Sequence, residues 1–220
     1  MLWRLELHSH TCYSEDSLLR PEALLQTCLR RGIDKIAITD HNTIRGALEA
    51  YALDPNRVII GEEIMTTRGE LLAFFVQEEI PPGLSPQETI RRLREQGAVI
   101  SVSHPFDRFR KGHWEWHDLL EILPLVDAIE GFNARCLLPE FNVQAQQLAR
   151  ERGLPITVGS DAHAAWEIGR ASLLLPPFDS AEAFRRSLSQ AQIRARLSPP
   201  WVHLFSRYAV WRKRQQRSGV

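Results

Sequence analysis

The feature that most constrains this sequence is a set of short apolar runs, each ending in a residue type that binds metals. The first run, residues 2–7, leads directly into His8-Ser9-His10. Side chains alternate along a strand, so His8 and His10 lie on the same face and can chelate one metal ion. An isolated His-x-His pair is a weak signal, because ordinary surface or core histidines also produce it. The apolar runs that follow strengthen the indication that the pair belongs to a metal site.

Five further apolar runs end in the same way. They cover residues 36–39, 58–60, 99–103, 126–129 and 156–160. The groups that terminate them are Asp40-His41, Glu62-Glu63, His104, Glu130 and Asp161-Ala162-His163. Ligands gathered at the carboxyl ends of parallel strands are typical of a β/α-barrel active site. We therefore predict an α/β fold, a single-domain barrel with a metal site at the C-terminal ends of its strands.

Length and composition bound this prediction. A chain of 220 residues fits one domain but is shorter than the roughly 250 residues of an eight-unit barrel, so fewer or distorted units are expected. Lys plus Arg equals Asp plus Glu at 27 each, which argues against a broad electrostatic footprint for duplex nucleic acid. No run approaches the ~18 apolar residues that span a bilayer, and cleavage of a signal peptide would remove His8 and His10. We therefore expect no membrane partner. Because Cys12, Cys28 and Cys136 form no disulfide pattern, we also expect a reducing, cytoplasmic location.

Helix signals alternate with the strand signals. Pro21 and Gly32 delimit a helix, Ser85 and Glu88 form a capping box, and Asp179 is the expected cap of a later helix. The predicted helices cover residues 21–31, 44–51, 86–96 and 139–152.

Two segments depart from the βα alternation. Residues 70–76 have the pattern of a strand joined by a short turn to the run ending at Glu63, which predicts a hairpin. We place the barrel domain at residues 1–206 and a basic C-terminal tail at residues 207–220. Basic residues interleaved with aromatics can bind nucleic acid, but a solvated terminus is the commoner explanation, so no function is assigned to the tail.

The inward-pointing groups are too numerous for one tetrahedral ion and fit two or three divalent ions. Of the adjacent Glu62 and Glu63, only one can face the centre of the barrel, because neighbours on a strand point opposite ways. Mixed imidazole and carboxylate ligands suit zinc, manganese or iron. The candidate metal ligands are His8, His10, Asp16, His41, Glu63, His104, Asp161 and His163.

Two or three ions bridged by a carboxylate suit phosphate-ester cleavage, because cations activate a shared water and neutralise charge on the phosphate. The arginines that could hold the phosphoryl oxygens are Arg108, Arg110, Arg135 and Arg170. The candidate catalytic residues are Glu63, Asp161, His41 and His163. Either His41 or His163 could also give a proton to the leaving group if it is not needed as a ligand.

The ordered motifs resemble the polymerase and histidinol phosphatase (PHP) family of metal-dependent phosphoesterases. The likeness spans residues 5 to about 170, and it implies a distorted (β/α)7 barrel. The matching pieces are His8-Ser9-His10-Thr11, Asp16, Thr39-Asp40-His41-Asn42-Thr43, Gly61-Glu62-Glu63, Ser103-His104-Pro105 and Gly159-Ser160-Asp161-Ala162-His163.

The resemblance also implies a ligand set for each ion. One ion falls on His8, His10, Glu63 and Asp161, and a second falls on Asp16, His41 and His163. A third is shared by Glu63 and His104. Trinuclear relatives have another histidine after the sixth strand, where this sequence offers Glu130, Asn133 or Cys136.

The activity implied by the resemblance is hydrolysis of a small phosphorylated substrate, a phosphomonoester or a nucleotide phosphodiester, by metal-activated hydroxide. A nucleotide or a nucleic-acid end is also compatible with it. Two hypotheses from other classes stay open. A non-catalytic, metal-stabilised module that binds phosphate ligands would explain the missing histidine. An amidohydrolase-type C–N or lactone hydrolase shares the His-x-His start, but those barrels bridge their metals with a modified lysine where this sequence has Glu63. The sequence does not indicate the oligomeric state.

Overall fold

A nine-stranded sheet curls into a nearly closed barrel in the computed structural model, which describes residues 1–218. The strands are β1 (Trp3–Glu6), β2 (Lys35–Ile38), β3 (Val58–Met65), β4 (Glu70–Phe74), β5 (Val99–Val102), β6 (Ala128–Asn133), β7 (Ile156–Gly159), β8 (Ala171–Leu175) and β9 (Gln192–Ala195). The helices are α1 (Pro21–Arg31), α2 (Arg45–Leu53), α3 (Pro86–Glu95), α4 (Trp116–Ile122), α5 (Pro139–Arg152), α6 (Ala181–Ser187) and α7 (Val202–Ser218).

The strand order in the sheet is β7-β6-β5-β4-β3-β2-β1-β8-β9. Strands β1, β2 and β3 run parallel to one another, and so do strands β5, β6 and β7. Between these two groups, β4 runs antiparallel to both β3 and β5, so the predicted hairpin is confirmed. Because β4 runs the other way, it begins at the rim where the parallel strands end. Its first residue, Glu70, therefore reaches that rim.

The barrel closes where the ends of β1 and β7 meet. Ser9 forms a parallel bridge with Ala162. The amide of His10 donates to the carbonyl of Ala162 at 2.8 Å, and the amide of Ala162 donates to the carbonyl of His8 at 3.3 Å. Earlier along β1, the antiparallel strand β8 takes the place of β7 as its neighbour. The fold is therefore a distorted (β/α)7 barrel, with β8 and β9 as an extension of the sheet.

One apolar cluster fills the barrel interior with a side chain from nearly every strand. Phe184 of α6 packs into the same cluster and is fully buried. Burying each large side chain contributes about 1.5 to 3 kcal/mol relative to exposure. The interior is thus a packed, largely apolar core below the rim, and the buried hydroxyls of Ser101 and Thr157 within it bond to each other at 2.7 Å. Its strand residues include Leu5, Ala37, Ile59, Leu72, Val99, Ala128, Val158 and Leu173.

The helix limits follow the local signals in most places. α1 and α5 have the predicted bounds, and each ends at a glycine in the left-handed region, Gly32 and Gly153. The Ser85 side chain accepts the predicted capping hydrogen bond from the Glu88 amide at 3.2 Å. The expected cap of α6 at Asp179 is wrong by one residue. Ser180 caps that helix instead, because its hydroxyl accepts from the amide three residues ahead.

The basic C-terminal segment is helical. The predicted boundary between residues 206 and 207 falls inside α7, and residues 219–220 of the predicted tail lie outside the described residues. The Nζ of Lys213 donates to the carbonyls of Cys12, at 2.7 Å, and Ser14. Arg217 forms an ion pair with Glu15 at 2.8 Å. These contacts dock α7 against the loop that follows β1. Within residues 1–218, no helix combines the length and apolar character needed to cross a bilayer.

The close approach of β7 to β1 gives a testable prediction. A Cβ on Gly159 would lie 2.1 Å from the Cβ of His8 and 2.9 Å from Oε1 of Glu130. We expect Gly159→Ala to push the two strands apart, to lower the free energy of unfolding by about 2 to 3 kcal/mol and to reduce bound metal.

The matched control is Gly153→Ala. Its Cβ would meet no atom within 4 Å, and only the positive φ of 64° opposes the change, so a loss of about 1 kcal/mol is expected. Urea unfolding and metal analysis compare the two variants. Equal losses of stability with unchanged metal would contradict the tight β1–β7 contact.

Candidate metal centre

Four buried ligand atoms converge at the closing point of the barrel. The Nε2 of His8 lies 3.2 Å from Oε2 of Glu63 and 3.6 Å from Oδ1 of Asp161. The Nε2 of His10 lies 3.5 Å and 3.1 Å from the same two oxygens. None of the four atoms has a hydrogen-bond partner among the described residues. Ligands about 2.1 Å from a tetrahedral ion lie roughly 3.4 Å apart, so each of these histidine–carboxylate spacings suits ligands of a shared divalent ion. Ligand atoms of His8, His10 and Glu63 also lie within 4.8 Å of one another.

Glu63 connects this group to the rest of the rim. Its Oε2 also lies 3.0 Å from Nδ1 of His41. Its other oxygen, Oε1, accepts a hydrogen bond from the Ser103 hydroxyl at 2.7 Å and lies 3.0 Å from Nε2 of His104. The adjacent Glu62 points elsewhere and accepts a backbone hydrogen bond at 3.1 Å. Glu63 can therefore touch more than one ion, as its predicted bridging role requires.

Asp16 faces two further imidazoles. Its Oδ2 lies 2.8 Å from Nε2 of His163, and its Oδ1 lies 3.7 Å from Nε2 of His41. The imidazoles of His10, His41 and His163 also offer ligand atoms within 4.8 Å of one another. The structure thus brings together the three residues that the sequence placed around a second ion.

Glu70 belongs to the centre and was missed by the sequence analysis. Its Oε2 lies 3.4 Å from Nε2 of His104, and its Oε1 lies 3.9 Å from Nδ1 of His41. Ligand atoms of His41, Glu63 and Glu70 lie within 4.8 Å of one another. The signal that could have found Glu70 is the hairpin itself, because an acid that opens an antiparallel strand after Glu63 must return to the rim.

Glu130 and Asn133 support the ligands from behind. Glu130 Oε1 lies 2.8 Å from Nδ1 of His8, and its Oε2 accepts from the amide of His104 at 2.8 Å. The amide of the Asn133 side chain donates to Glu130 and Asp161, both at 3.2 Å. Partners of this kind fix the orientation of a ligating imidazole and strengthen it as a ligand.

The sequence left Glu130, Asn133 and Cys136 open as the residue that completes the third ligand group. The structure gives none of the three that position. Glu130 and Asn133 have the supporting contacts just described. Cys136 belongs to no possible ligand group among residues 1–218, and burial raises the pKa of its thiol above the ordinary value. Glu70 offers its carboxylate to this group instead, from the start of β4 and not from the end of the sixth strand.

The electrostatics favour the metal-binding form at Glu63 and His10, but not at every ligand. Burial alone would raise the pKa of Glu63, but the charges of His8 and His41 hold that pKa well below its usual range. Burial and the charges of His163 and His41 lower the pKa of His10 to about 3. An ionised carboxylate and a neutral imidazole are the forms that bind a metal ion. Burial alone would lower the pKa of His8 and of His41, but Glu63 and the neighbouring carboxylates raise both well above the ordinary value, so an ion bound there would replace a proton.

The backbone is strained at two of the ligands. His104 has φ 21° and Asp161 has φ 52°, a region that side-chain-bearing residues rarely adopt. Such conformations cost about 1 to 3 kcal/mol each and persist where the surrounding structure enforces them. Both residues lie two positions beyond the end of a strand, β5 for His104 and β7 for Asp161. The turn at each position directs the side chain into the centre.

Arg110 lines a pocket of about 220 Å³ together with Asp16, His41 and His163. Its NH2 lies 2.6 Å from Oδ2 of Asp161, and its Nε lies 3.1 Å from Asp107. Burial alone would raise the pKa of Asp161, but Arg110 and His8 hold it well below its usual range. Arg110 therefore keeps one ligand ionised while facing the pocket.

Arg135 also lines the pocket, but its nitrogens are engaged. Its NH1 lies 2.6 Å from Nδ1 of His163, and its Nε lies 3.2 Å from Oε2 of Glu167. Its NH2 donates to the Val202 carbonyl at 3.0 Å and to the Ser206 hydroxyl at 2.9 Å. Arg135 thus connects His163 to α7, and Glu167, which the sequence analysis missed, holds Arg135 in place.

The other two predicted arginines lie outside the pocket. Arg108 is exposed on the loop after β5 and is not among the residues that line it. Arg170 lines a separate depression with Arg4, Arg194 and Arg196. Arg170 was predicted to hold phosphoryl oxygens, but the chain turns at Gly169, which has φ 78°, and Arg170 lines this other depression.

Comparisons with known proteins agree with this geometry. The PHP domain family matches residues 6–122, and the PHP-associated family matches residues 139–193. An uncharacterized protein of Methanocaldococcus jannaschii is 41% identical over 144 residues, which are 60% of this chain and 82% of the relative. The chain belongs to the PHP family.

Two solved structures have the same fold at low identity. A two-domain protein from Bacteroides vulgatus containing a predicted PHP-like metal-dependent phosphoesterase superimposes with a TM-score of 0.72 and 19% identity, over 89% of this chain and 65% of that one. A lesion-specific endonuclease from Pyrococcus furiosus gives a TM-score of 0.62 and 15% identity, over 88% of this chain and 58% of the endonuclease. This chain therefore spans less than two thirds of either protein.

The role of Glu70 can be tested by metal analysis. Glu70→Gln keeps the shape of the side chain but removes its charge, so we expect about one metal ion fewer per chain while the group around His8 stays occupied. The measurement is metal content per chain by mass spectrometry after gel filtration. The control is Glu115→Gln, a carboxylate 78% exposed outside the centre. Wild-type metal content in Glu70→Gln would exclude Glu70 as a ligand.

Proposed function

We propose that this protein is a metal-dependent phosphoesterase that hydrolyses a phosphomonoester, or a nucleotide phosphodiester, of a small substrate. The observation that carries the proposal is the convergence of four buried ligand atoms without hydrogen-bond partners among residues 1–218, one each from His8, His10, Glu63 and Asp161. Membership of the PHP family supports the same class of reaction. Bound zinc, manganese or iron ions would supply water activation and neutralisation of phosphate charge.

The ligands divide into three groups, two of which share Glu63. Oε2 of Glu63 serves the group at the β1–β7 contact, and Oε1 faces the group at β4 and β5. The first group is His8, His10, Glu63 and Asp161, the second is Asp16, His41 and His163, and the third is His41, Glu63, Glu70 and His104. His41 presents Nδ1 to the third group and Nε2 to the second, and because a neutral imidazole has one unprotonated nitrogen, it would serve an ion in only one of the two groups.

Arg110 is the residue that we assign to the phosphoryl oxygens. It lines the pocket, and two of its nitrogens are held by Asp161 and Asp107, which fixes the guanidinium plane. A planar guanidinium can offer two parallel donors to a phosphate. His41 and His163 line the same pocket, and either is placed to give the departing oxygen a proton.

The pocket favours a small substrate. Its volume is about 220 Å³, below the roughly 300 to 1,000 Å³ of pockets that enclose drug-sized ligands. A phosphate group with a compact organic part fits this space. A nucleotide or the end of a nucleic acid would insert its terminal phosphate and leave the rest outside.

A matched pair of adjacent carboxylates tests the proposal. Glu63→Gln should lower both bound metal and phosphoesterase turnover by more than about 100-fold, because it removes a shared ligand. Glu62→Gln should leave both unchanged, since Glu62 points out of the centre and burial already raises its pKa to about 8. Metal-loaded proteins are assayed with p-nitrophenyl phosphate, its bis ester and nucleotides.

Three outcomes separate this proposal from the other hypotheses. Metal-dependent turnover that Glu63→Gln abolishes supports the phosphoesterase. Saturable binding of the esters without turnover in the metal-loaded wild type would favour a binding module. Hydrolysis of lactones or cyclic amides, with every phosphate ester untouched, would favour an amidohydrolase.

A second pair tests the phosphate contact. Arg110→Lys keeps the positive charge beside Asp161 but loses the planar pair of donors, so we expect the KM for p-nitrophenyl phosphate to rise about tenfold with metal content unchanged. Arg108→Lys, on the exposed loop, should change KM by less than about twofold. An unchanged KM in Arg110→Lys would remove Arg110 from the substrate site.

A further inference from the structure

A second concentration of positive charge lies outside the metal centre. Four arginines, Arg4, Arg170, Arg194 and Arg196, line an open depression of about 410 Å³ together with Gly169 and Ala195. This depression shares no lining residue with the pocket above the metal ligands. Arg170 was predicted to bind phosphate at the metal centre, but it lies in this depression with three other arginines.

The strand register explains why the arginines share one face. Arg4 of β1 lies opposite Leu174 of β8, and Ser172, two residues before Leu174, lies opposite Arg194 of β9. Directly opposed residues and residues two apart on a strand point to the same side of a sheet. The amide of Arg196 donates to the carbonyl of Arg170 at 2.9 Å, which extends the pairing to the other two arginines.

The opposite side of the same strands is apolar. Ala171, Leu173 and Leu175 of β8 are fully buried in the barrel interior. The arginines therefore occupy the outer face of the sheet extension, where Arg194 and Arg196 are exposed to solvent.

The charge of Arg4 is not neutralised by a carboxylate on its guanidinium. Its Nε donates to the Ser172 hydroxyl at 3.0 Å, and its other nitrogens donate to the carbonyls of Arg31 and Gly169, both at 2.9 Å. The nearest acid in these contacts is Asp34, which accepts from the backbone amide of Arg4 at 2.7 Å. Arg4 is thus fixed in position by neutral acceptors and keeps its full positive charge.

Two further observations show that the positive charge is concentrated and incompletely satisfied. The Nε of Arg170 is buried without a hydrogen-bond partner among residues 1–218. Partial burial, together with the charges of Arg170, Arg196 and Arg4, lowers the pKa of Arg31 at the edge of the depression. Natural proteins offset such mutual repulsion with a bound anion or an acidic partner.

We propose that this arginine face is a second, non-catalytic binding site for an anion that carries two or more phosphate groups. Arg194 and Arg196 are roughly 7 Å apart along their strand, and Arg4 and Arg194 are separated by roughly 10 Å across two strand spacings. Four arginines whose backbone positions are spread over that span offer more donors than one phosphate can accept. A diphosphate, or neighbouring phosphates of a nucleotide or single strand, matches this arrangement.

Isothermal titration with inorganic pyrophosphate tests the site on the metal-loaded protein. The variant is Arg194→Ser with Arg196→Ser, two exposed side chains whose loss leaves the fold unchanged. The matched control is Arg207→Ser with Arg212→Ser on the exposed side of α7, which lowers the net charge equally. Any pyrophosphate bound at the metal centre is common to all three proteins, and metal content is measured after each titration.

We expect the wild type and the control to bind about one more pyrophosphate per chain than the Arg194/Arg196 variant. The double reversal Arg194→Glu with Arg196→Glu should abolish the same event. Competition with a ten-nucleotide single-stranded DNA then identifies the source, because displacement of the extra pyrophosphate means that backbone phosphates enter the site. Equal stoichiometry and affinity in all three proteins would overturn the proposal. Equal weakening in the variant and the control would also overturn it, since it would reflect net charge alone.

Discussion

The rim of this barrel is organised around one carboxylate, Glu63, that is held ionised out of contact with water. Taking a carboxylate into a protein interior costs several kcal/mol unless opposing charges surround it. His8 and His41 approach one oxygen and His104 approaches the other. These imidazoles come from different strand ends, so the registers of the sheet, the closing contact at Ser9 and the strained turn at His104 all serve to deliver them to one point.

Most of the ligand set could be predicted because it depends on local sequence. An apolar strand ends and a polar residue of suitable type just beyond it falls at the rim, as it does for His8 and Asp161, while Glu63 lies within β3 itself, just after its apolar run. The alternation of Glu62 and Glu63 could also be predicted, since adjacent residues on a strand face opposite ways. The helices with proline at their start and glycine at their end had clear limits for the same local reason.

The remaining features depend on contacts that no local pattern records. Glu70 reaches the centre only because β4 is reversed, and its neighbours in sequence do not show which rim the hairpin returns to. β9 is exposed at every position and lacks the apolar alternation of a strand. Basic residues occur throughout α7, so the sequence does not show which of them, such as Lys213, dock the helix against the barrel. Arg170 is close to His163 in sequence, but the turn at Gly169 places it in a separate depression, which no local pattern shows.

The joining of β1 to the segment after β7 has a consequence for how the chain acquires its metal. The bridge between Ser9 and Ala162 is a contact between distant parts of the chain, and such contacts form late because loop closure must be completed first. During synthesis, His8 and Glu63 leave the ribosome well before Asp161 exists, and Lys213 follows later still. The ligand group of His8, His10, Glu63 and Asp161 is therefore complete only once this long-range contact has formed, which couples metal binding to the last stage of folding.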